Sequence, residues 1–208
     1  MKKWIIWLLI GIVILAAVLW GPLMSNVEQA KYDVIETHGS IEIREYAPMI
    51  VAEVSVSGDR EKAISHGFRL IADYIFGNNI SSQKVAMTAP VIQQPTEKIA
   101  MTAPVTQQGS KEDWVVRFVM PSSYTMQSLP KPNNPEVSLK EITGKQFAVI
   151  RFSGFATLKS LQKHTKELEA FIQARNLQAV SEATYAFFNP PWTLPFLRRN
   201  EVMIEINR

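Results

Sequence analysis

The sequence contains no cysteine, and histidine occurs only three times in 208 residues. Without cysteine, a disulfide framework, a thiolate nucleophile, an Fe–S cluster and a Cys-ligated haem or zinc site are all excluded. The histidines do not stand at the spacing of a metal-binding pair, and the G-x-S-x-G, H-E-x-x-H and phosphate-binding glycine-loop motifs are absent. The sequence therefore predicts a protein that is not an enzyme, and any metal would need His, Met, Tyr or carboxylate ligands.

Positive and negative charges are nearly balanced in the chain, with a net charge of +3. Charged residues make up 20% and hydrophobic residues 47% of the sequence, which is typical of a globular protein. Lys2 and Lys3 supply two of the three excess positive charges. Because no basic stripe remains to neutralise a phosphate backbone, we expect no nucleic-acid partner.

One long hydrophobic run is present, at the N-terminus. The 21 residues from Trp4 to Met24 carry no charge, and as a helix they would measure about 30 Å, the hydrocarbon thickness of a bilayer. We interpret residues 1–25 as an uncleaved single-pass membrane anchor, with a cleaved signal peptide and a buried core helix as alternatives. Lys2 and Lys3 place the N-terminus in the cytoplasm, so residues 26–208 would lie outside it, in the periplasm or extracellular space.

The rest of the chain contains an internal repeat. Residues 41–58 align without gaps on residues 137–154, and a predicted helix follows each copy, so that the repeat covers 41–79 and 137–175. Asp59 is the expected N-cap of the first helix. The apolar stripes are predicted to be Ile64, Phe68, Ile71 and Ile75 in the first helix and Leu161, Leu168, Phe171 and Ile172 in the second.

Alternating apolar residues predict the strands of an α+β domain. The predicted strands are 32–36, 41–46, 50–56, 84–91, 98–105, 114–120, 183–188 and 201–207, and residues 120–135 are predicted to be an irregular connection. The simplest fold is a curved, largely antiparallel sheet of two similar halves, flanked by two helices.

Three separated motifs resemble the SOUL haem-binding family over about residues 31–208. They are KVAMTAPV at 84–91 with KIAMTAPV at 98–105, FNPPWTLPFLRRNEV at 188–202, and SIEIREYAP at 40–48. The resemblance implies a distorted β-barrel of two pseudo-symmetric halves with two flanking helices, a duplicated unit that also occurs in bacterial effector-binding domains. It also implies a shallow apolar pocket for haem or a related tetrapyrrole beside the first helix, and no reaction common to the family.

The sequence departs from part of the family at Glu45. Some haem-binding members carry a histidine at this position, which has been proposed as the axial iron ligand, whereas a carboxylate is not among the usual haem ligands. The metal ligand is therefore unknown. Met87 and Met101 are interpreted as core residues, His38 as a turn residue and His164 as a structural residue.

The resemblance selects seven candidate cofactor-binding residues. Ile64, Phe68 and Ala72 would line the flat face of the ligand, although any amphipathic helix needs such residues for packing. His66 and Arg69 share the polar face of the helix, where His66 is either a pocket-rim residue or a solvated surface histidine. Arg198 and Arg199 either pair with propionates or belong to the scaffold of their own loop through Glu201.

The predicted function is a membrane-anchored, non-catalytic protein that binds haem or a related tetrapyrrole for storage, delivery or buffering. The cofactor is not expected to be required for folding. Two alternatives stay open: an effector-type domain for another flat apolar ligand or a protein partner, and a small hydrolase that uses Glu45 or Glu53 with a tyrosine such as Tyr46 or Tyr185.

Overall fold

The computed structural model describes residues 27–81, 97–110, 113–190 and 192–207, together with Trp4, Trp7 and Leu8. The three isolated residues are helical and exposed. The rest of the predicted anchor and the predicted strand 84–91 lie outside the described residues. Within the described part of the chain, no helix has the length and apolar character needed to cross a membrane.

Two helices and twelve strands make up the described domain. In chain order they are β1 (Tyr32–His38), β2 (Ile41–Tyr46), β3 (Met49–Ser57), α1 (Arg60–Ile75), β4 (Asn79–Ile80), β5 (Val105–Ser110), β6 (Asp113–Val119), β7 (Lys131–Pro132), β8 (Ser138–Ile142), β9 (Lys145–Phe152), α2 (Leu158–Ala174), β10 (Gln178–Ala179), β11 (Thr184–Phe187) and β12 (Asn200–Asn207). A 3₁₀ turn at Pro195–Leu197 precedes β12.

Ten of these strands form one antiparallel sheet that is strongly curled. Its order is β1-β2-β9-β12-β11-β5-β6-β3-β8, with β10 paired to β12. In a flat sheet, β9 and β8 would stand about 29 Å apart, at 4.8 Å per strand. Only Thr143 and Gly144 connect them, and this connection reaches about 10 Å. Strands β2 and β3 are also six positions apart in the sheet, and only Ala47 and Pro48 connect them. Since neither connection could span a flat sheet, the sheet has to curl into a half-barrel.

The two copies of the predicted repeat contain the same order of elements. Strands β2 and β3 followed by α1 correspond to β8 and β9 followed by α2. The two copies also pair with each other, since β2 pairs with β9 and β3 pairs with β8. Tyr46 faces Lys145 and Met49 faces Ile142, so the two short turns lie opposite each other.

Alternation along the strands separates an outer face, which the helices cover, from an inner face. On β3, Ala52, Val54 and Val56 pack with α1, whereas Val51 and Glu53 point into the curl. On β9, Ala148 and Ile150 pack with α2. A third, inner cluster contains Tyr46, Ala103, Val149, Ala186, Phe188 and Met203.

Two local predictions differ from the structure. The buried side of α1 consists of Ala63, Gly67, Ile71, Tyr74 and Ile75, so Ile64 and Phe68 stand at its edge. Residues 98–104 are not a regular strand, because contacts from elsewhere in the chain determine their course. The Ile99 amide donates to the Ile75 carbonyl at 2.9 Å, and the Thr102 hydroxyl donates to the Val119 carbonyl.

Candidate functional site

Three of the predicted haem contacts form a ridge along one side of α1. Ile64, Phe68 and Ala72, which we call the α1 ridge, follow each other at four-residue spacing. Ile64 and Ala72 are half-buried, and Phe68 is exposed. The Phe68 ring lies 5.1 Å from that of Phe118 on β6, centroid to centroid, and remains 40% exposed. The ridge therefore presents an aromatic surface to solvent.

His66 and Arg69 lie on the solvent-facing part of α1, as their spacing predicts. Both are exposed, and both line an open surface groove beside the N-terminus of the helix. His66 is two residues from both Ile64 and Phe68, which is a rotation of about 200° around a helix. One flat ligand on the α1 ridge therefore does not reach His66, whereas Arg69 stands one turn from Ala72.

Arg198 and Arg199 belong to a different part of the molecule. The Arg198 Nε donates to the Thr193 carbonyl at 2.7 Å, and its guanidinium stands over the Phe155 ring. Arg199 donates from Nε to Glu201 at 2.8 Å, and its other nitrogens donate to the side chains of Gln29 and Tyr32. These contacts fit the scaffold interpretation, and none of them involves a residue of the α1 ridge.

Arg199 contributes to a buried ionic cluster on the inner face. Arg44 is 2% exposed and donates from Nη1 and Nη2 to both carboxylate oxygens of Glu201, at 2.8 and 3.1 Å. Burial alone would lower the pKa of Arg44, but the hydrogen bonds and charge of Glu201 raise it above its usual range. Burial is also the main reason why the pKa of Tyr46 rises to about 12. The cluster fixes the segment around Tyr32, whose ring lies 4.3 Å from the Arg44 guanidinium.

The curl of the sheet encloses a second candidate site, which we call the inner cleft. It has a volume of about 380 Å³, within the usual range for small-molecule sites. A second cavity of about 330 Å³ adjoins it, and both are lined by Ala30, Met49, Val119 and Glu141. The inner cleft is lined by residues of β2, β3, β5, β6, β8, β9, β11 and β12.

A nearly buried carboxylate lies in the wall of the inner cleft. Glu53 is 5% exposed, and its Oε2 accepts from Arg117 Nε at 2.5 Å while its Oε1 accepts from Lys140 Nζ at 2.5 Å. Burial raises the pKa of Glu53, but the hydrogen bonds and charges of these two cations outweigh it and leave the pKa below its usual range. Glu53 is therefore a carboxylate at neutral pH.

The remaining sequence candidates do not converge on either surface. Glu45 is exposed, and Tyr46, on the next position of β2, points to the opposite face. His38 ends β1 before a turn at Gly39, which has φ +63°. His164 stacks on Phe152 at 4.2 Å. Among the described residues, no group of His, Asp or Glu side chains is arranged to hold a metal ion.

The two methionine predictions have different outcomes. Met101 is 42% exposed, so its interpretation as a core residue is wrong. The reason is that residues 98–104 do not alternate as a strand, and Thr102 and Ala103 are buried instead. Met87 lies outside the described residues.

The inner cleft does not follow from the sequence pattern, although one signal of it is present. Glu53 lies in the run Ile50–Val56, where apolar neighbours stand on both sides of it. A charged side chain in such a run indicates either a pairing partner or a functional site. Its partners could not be identified, because Arg117 and Lys140 follow 64 and 87 residues later in the chain.

Solved structures resemble this fold at low sequence identity. The C-terminal domain of EcmrR superimposes with a TM-score of 0.58 at 10% identity, covering 85% of this chain and 98% of that domain. A protein from Listeria innocua described as a hydrolase gives a TM-score of 0.53 at 12% identity, covering 83% and 94%. At these identities the likeness shows the fold alone.

The sequence comparisons agree with the motifs. Heme-binding protein 2 of Homo sapiens is 28% identical over 169 residues, which cover 80% of this chain and 78% of the human protein. The family model described as SOUL heme-binding protein matches residues 27–205, almost the whole described domain. The chain therefore belongs to the SOUL heme-binding protein family.

Proposed function

We propose that this protein binds haem or a related tetrapyrrole without catalysing a reaction, and that it stores, delivers or buffers the ligand. The observation that carries the proposal is the SOUL family match over residues 27–205. The human relative is also named as a heme-binding protein.

We place the macrocycle on the α1 ridge. Phe68 offers an aromatic surface, and Ile64 and Ala72 extend it by one helical turn in each direction. A planar apolar ligand would gain about 25 cal/mol for each Å² of apolar surface removed from water. Arg69, one turn from Ala72, could bind a propionate. Because His66 lies on the other side of the helix, the ridge holds the ring mainly through apolar contact.

Two observations support a role without catalysis. Glu45 and Tyr46 point to opposite faces of β2, so they do not form the acid and base of one hydrolytic site. Glu53 has a lowered pKa and is paired with two cations, which makes it a poor general acid at neutral pH. The hydrolase description of the Listeria innocua protein concerns that protein, with which this chain shares the fold.

We further propose that Trp4–Met24 anchors the domain on the outer side of the cytoplasmic membrane. The support is the uncharged length of this run and the position of Lys2 and Lys3 before it. The full chain should stay in the membrane pellet after alkaline carbonate extraction, and added protease should digest the domain in spheroplasts. Release of the intact protein into the extract would contradict the anchor.

Haem titration of the full chain in lipid nanodiscs tests the proposed function, with empty nanodiscs as the blank. We expect a saturable shift of the Soret band at near-stoichiometric haem. Phe68→Ala should weaken binding about tenfold, because it removes the largest apolar side chain of the ridge. Phe196→Ala, which removes an exposed phenylalanine of the C-terminal loop, is the matched control.

The titration has two contradicting outcomes. A linear, unsaturable signal equal to that of empty nanodiscs would exclude haem binding by the protein. Saturable binding that Phe68→Ala leaves unchanged would keep haem as the ligand but remove it from the α1 ridge.

A further inference from the structure

The inner cleft and its adjoining cavity share part of their walls. Ala30, Met49 and Val119 line both, so a ligand that extends beyond the inner cleft on this side meets the adjoining cavity. Most of the inner-cleft wall is apolar, with contributions from Tyr46, Val51, Pro104, Ile142, Phe147 and Met203. This shape and lining favour a long apolar body over a compact polar molecule.

The polar end of the cleft has unused hydrogen-bond donors. Both oxygens of Glu53 already accept from Arg117 and Lys140. Arg117 also donates from Nη1 to Gln108, so its hydrogen bonds to other described residues come from Nε and Nη1 and leave Nη2 as a donor. Lys140 is 57% exposed and has two further N–H groups. The group that best completes this end of the cleft is therefore an acceptor, and a charged one forms the stronger bonds.

Other charged side chains also face the cleft and contribute to its net charge. Glu205 accepts from Lys145 at 2.7 Å on the other side of the space, so that pair is neutral. Glu141 stands at the junction of the two cavities and is exposed to solvent, which screens it. The group of Glu53, Arg117 and Lys140 keeps one net positive charge, and a single anionic group would neutralise it.

We propose that the inner cleft binds an amphipathic monocarboxylate of the fatty-acid class. Its carboxylate accepts from Lys140 and Arg117, and its hydrocarbon chain lies against Val51 and Met203 and continues towards Ala30. This site lies on the face of the sheet opposite α1, so it is separate from the proposed haem surface.

The N-terminal segment connects this cleft to a source of such ligands. Glu28, Gln29, Ala30 and Lys31 line the adjoining cavity, and the amides of Ala30 and Ala103 hold the segment in place by donating to the carbonyls of Ala103 and Glu28. The apolar run ends at Met24, four residues before Glu28, a reach of at most about 14 Å. In the anchored protein that we propose, the adjoining cavity therefore stands near the bilayer surface, where fatty acids partition.

Isothermal titration of decanoate into the full chain in lipid nanodiscs tests the proposal, after subtraction of the heat from empty nanodiscs. We expect saturable binding. Lys140→Gln should weaken it about tenfold, because it removes a charge-assisted hydrogen bond, and Lys140→Arg should restore it. Ile142→Trp should obstruct the cleft from its half-buried rim without changing the charge. Lys159→Gln, at an exposed position of α2, is the matched control.

The proposal is overturned if decanoate gives only the nanodisc signal, or if neither Lys140→Gln nor Ile142→Trp weakens its binding. Competition with haem separates this proposal from the proposed function. Haem binding that depends on Phe68 but does not displace decanoate supports two separate sites. If haem displaces decanoate and its binding depends on Lys140, the cleft is supported as a carboxylate site. The placement of haem on the α1 ridge is then contradicted. A chain that binds decanoate but not haem supports the cleft and contradicts the proposed function.

Discussion

At the scale of single residues, the buried pair of Arg44 and Glu201 has the largest predicted effect on stability. Glu201 is fully buried and receives hydrogen bonds from both Arg44 and Arg199. We expect Glu201→Gln to lower the free energy of unfolding by about 3 kcal/mol, because Arg199 loses its carboxylate partner and the buried Arg44 keeps only the partly exposed Glu42, which accepts from its Nε at 2.6 Å. Urea denaturation of the domain comprising residues 27–208, followed by circular dichroism, measures this change.

The matched control is Glu205→Gln on the same strand. Glu205 also pairs with one cation, Lys145, but both side chains are partly exposed, at 21% and 37%. The loss of such a pair costs about 1 kcal/mol or less. Equal effects of the two substitutions would contradict the special role of the buried cluster.

Some residue roles follow from the sequence and others do not, for a physical reason. The exposed polar face of α1 with His66 and Arg69 follows from helical periodicity, which is a local property. The partners of Glu53 and Glu201 follow from strand pairing, which joins residues far apart in the chain. Arg199 lies between these two cases. The sequence left open whether it binds a propionate or pairs with Glu201 two residues later, and the structure shows the pair with Glu201.

At the scale of elements, Gly67 sets how closely α1 packs on the sheet. A Cβ atom at this position would stand 2.8 Å from Val116 Cγ2, and Val116 is fully buried. Alanine is the better helix former by about 1 kcal/mol, but overpacking a core costs about 1 to 3 kcal/mol. We therefore expect Gly67→Ala to destabilise the domain by about 1 kcal/mol, measured as a lower midpoint of urea denaturation.

Ser65→Ala provides the control for helix propensity, because Ser65 is exposed on the same helix. It should be neutral or slightly stabilising. If Gly67→Ala stabilised the domain as much as Ser65→Ala does, close packing of α1 at Val116 would not be the reason for the glycine.

The elements that sequence patterns predicted best are those with local signals. Asp59 caps α1 as expected and accepts from the Glu61 amide at 3.1 Å, and Thr157 caps α2 through the Ser160 amide at 3.2 Å. The segment 98–105 also alternates, but its strand begins only at Val105. Alternation predicts a strand only where a neighbouring strand is available to pair with it.

At the scale of the whole molecule, the two halves of the duplication exchange strands. In the sheet, β2 of the first half lies beside β9 of the second, and β8 of the second half lies beside β3 of the first. The cores follow the same exchange. Ile41 and Ile43 pack in the cluster under α2, and Val137 packs in the cluster under α1. Sequence alignment of the halves revealed the duplication but not this exchange, since the repeat does not specify which copies pair.

The exchange predicts that neither half folds alone. A cut between Pro135 and Glu136, which are both exposed, separates the halves without breaking an element. Fragment 27–135 would keep β1 beside β2 but would lose β9 from the other side of β2 and β8 from β3. Fragment 136–208 would lose Ile41 and Ile43 from its core. We expect each fragment to give the circular dichroism spectrum of an unfolded chain, and an equimolar mixture to recover the spectrum of uncut 27–208. A fragment that unfolds cooperatively on its own would contradict the interlocked arrangement, because its core would then not need the strand from the other half.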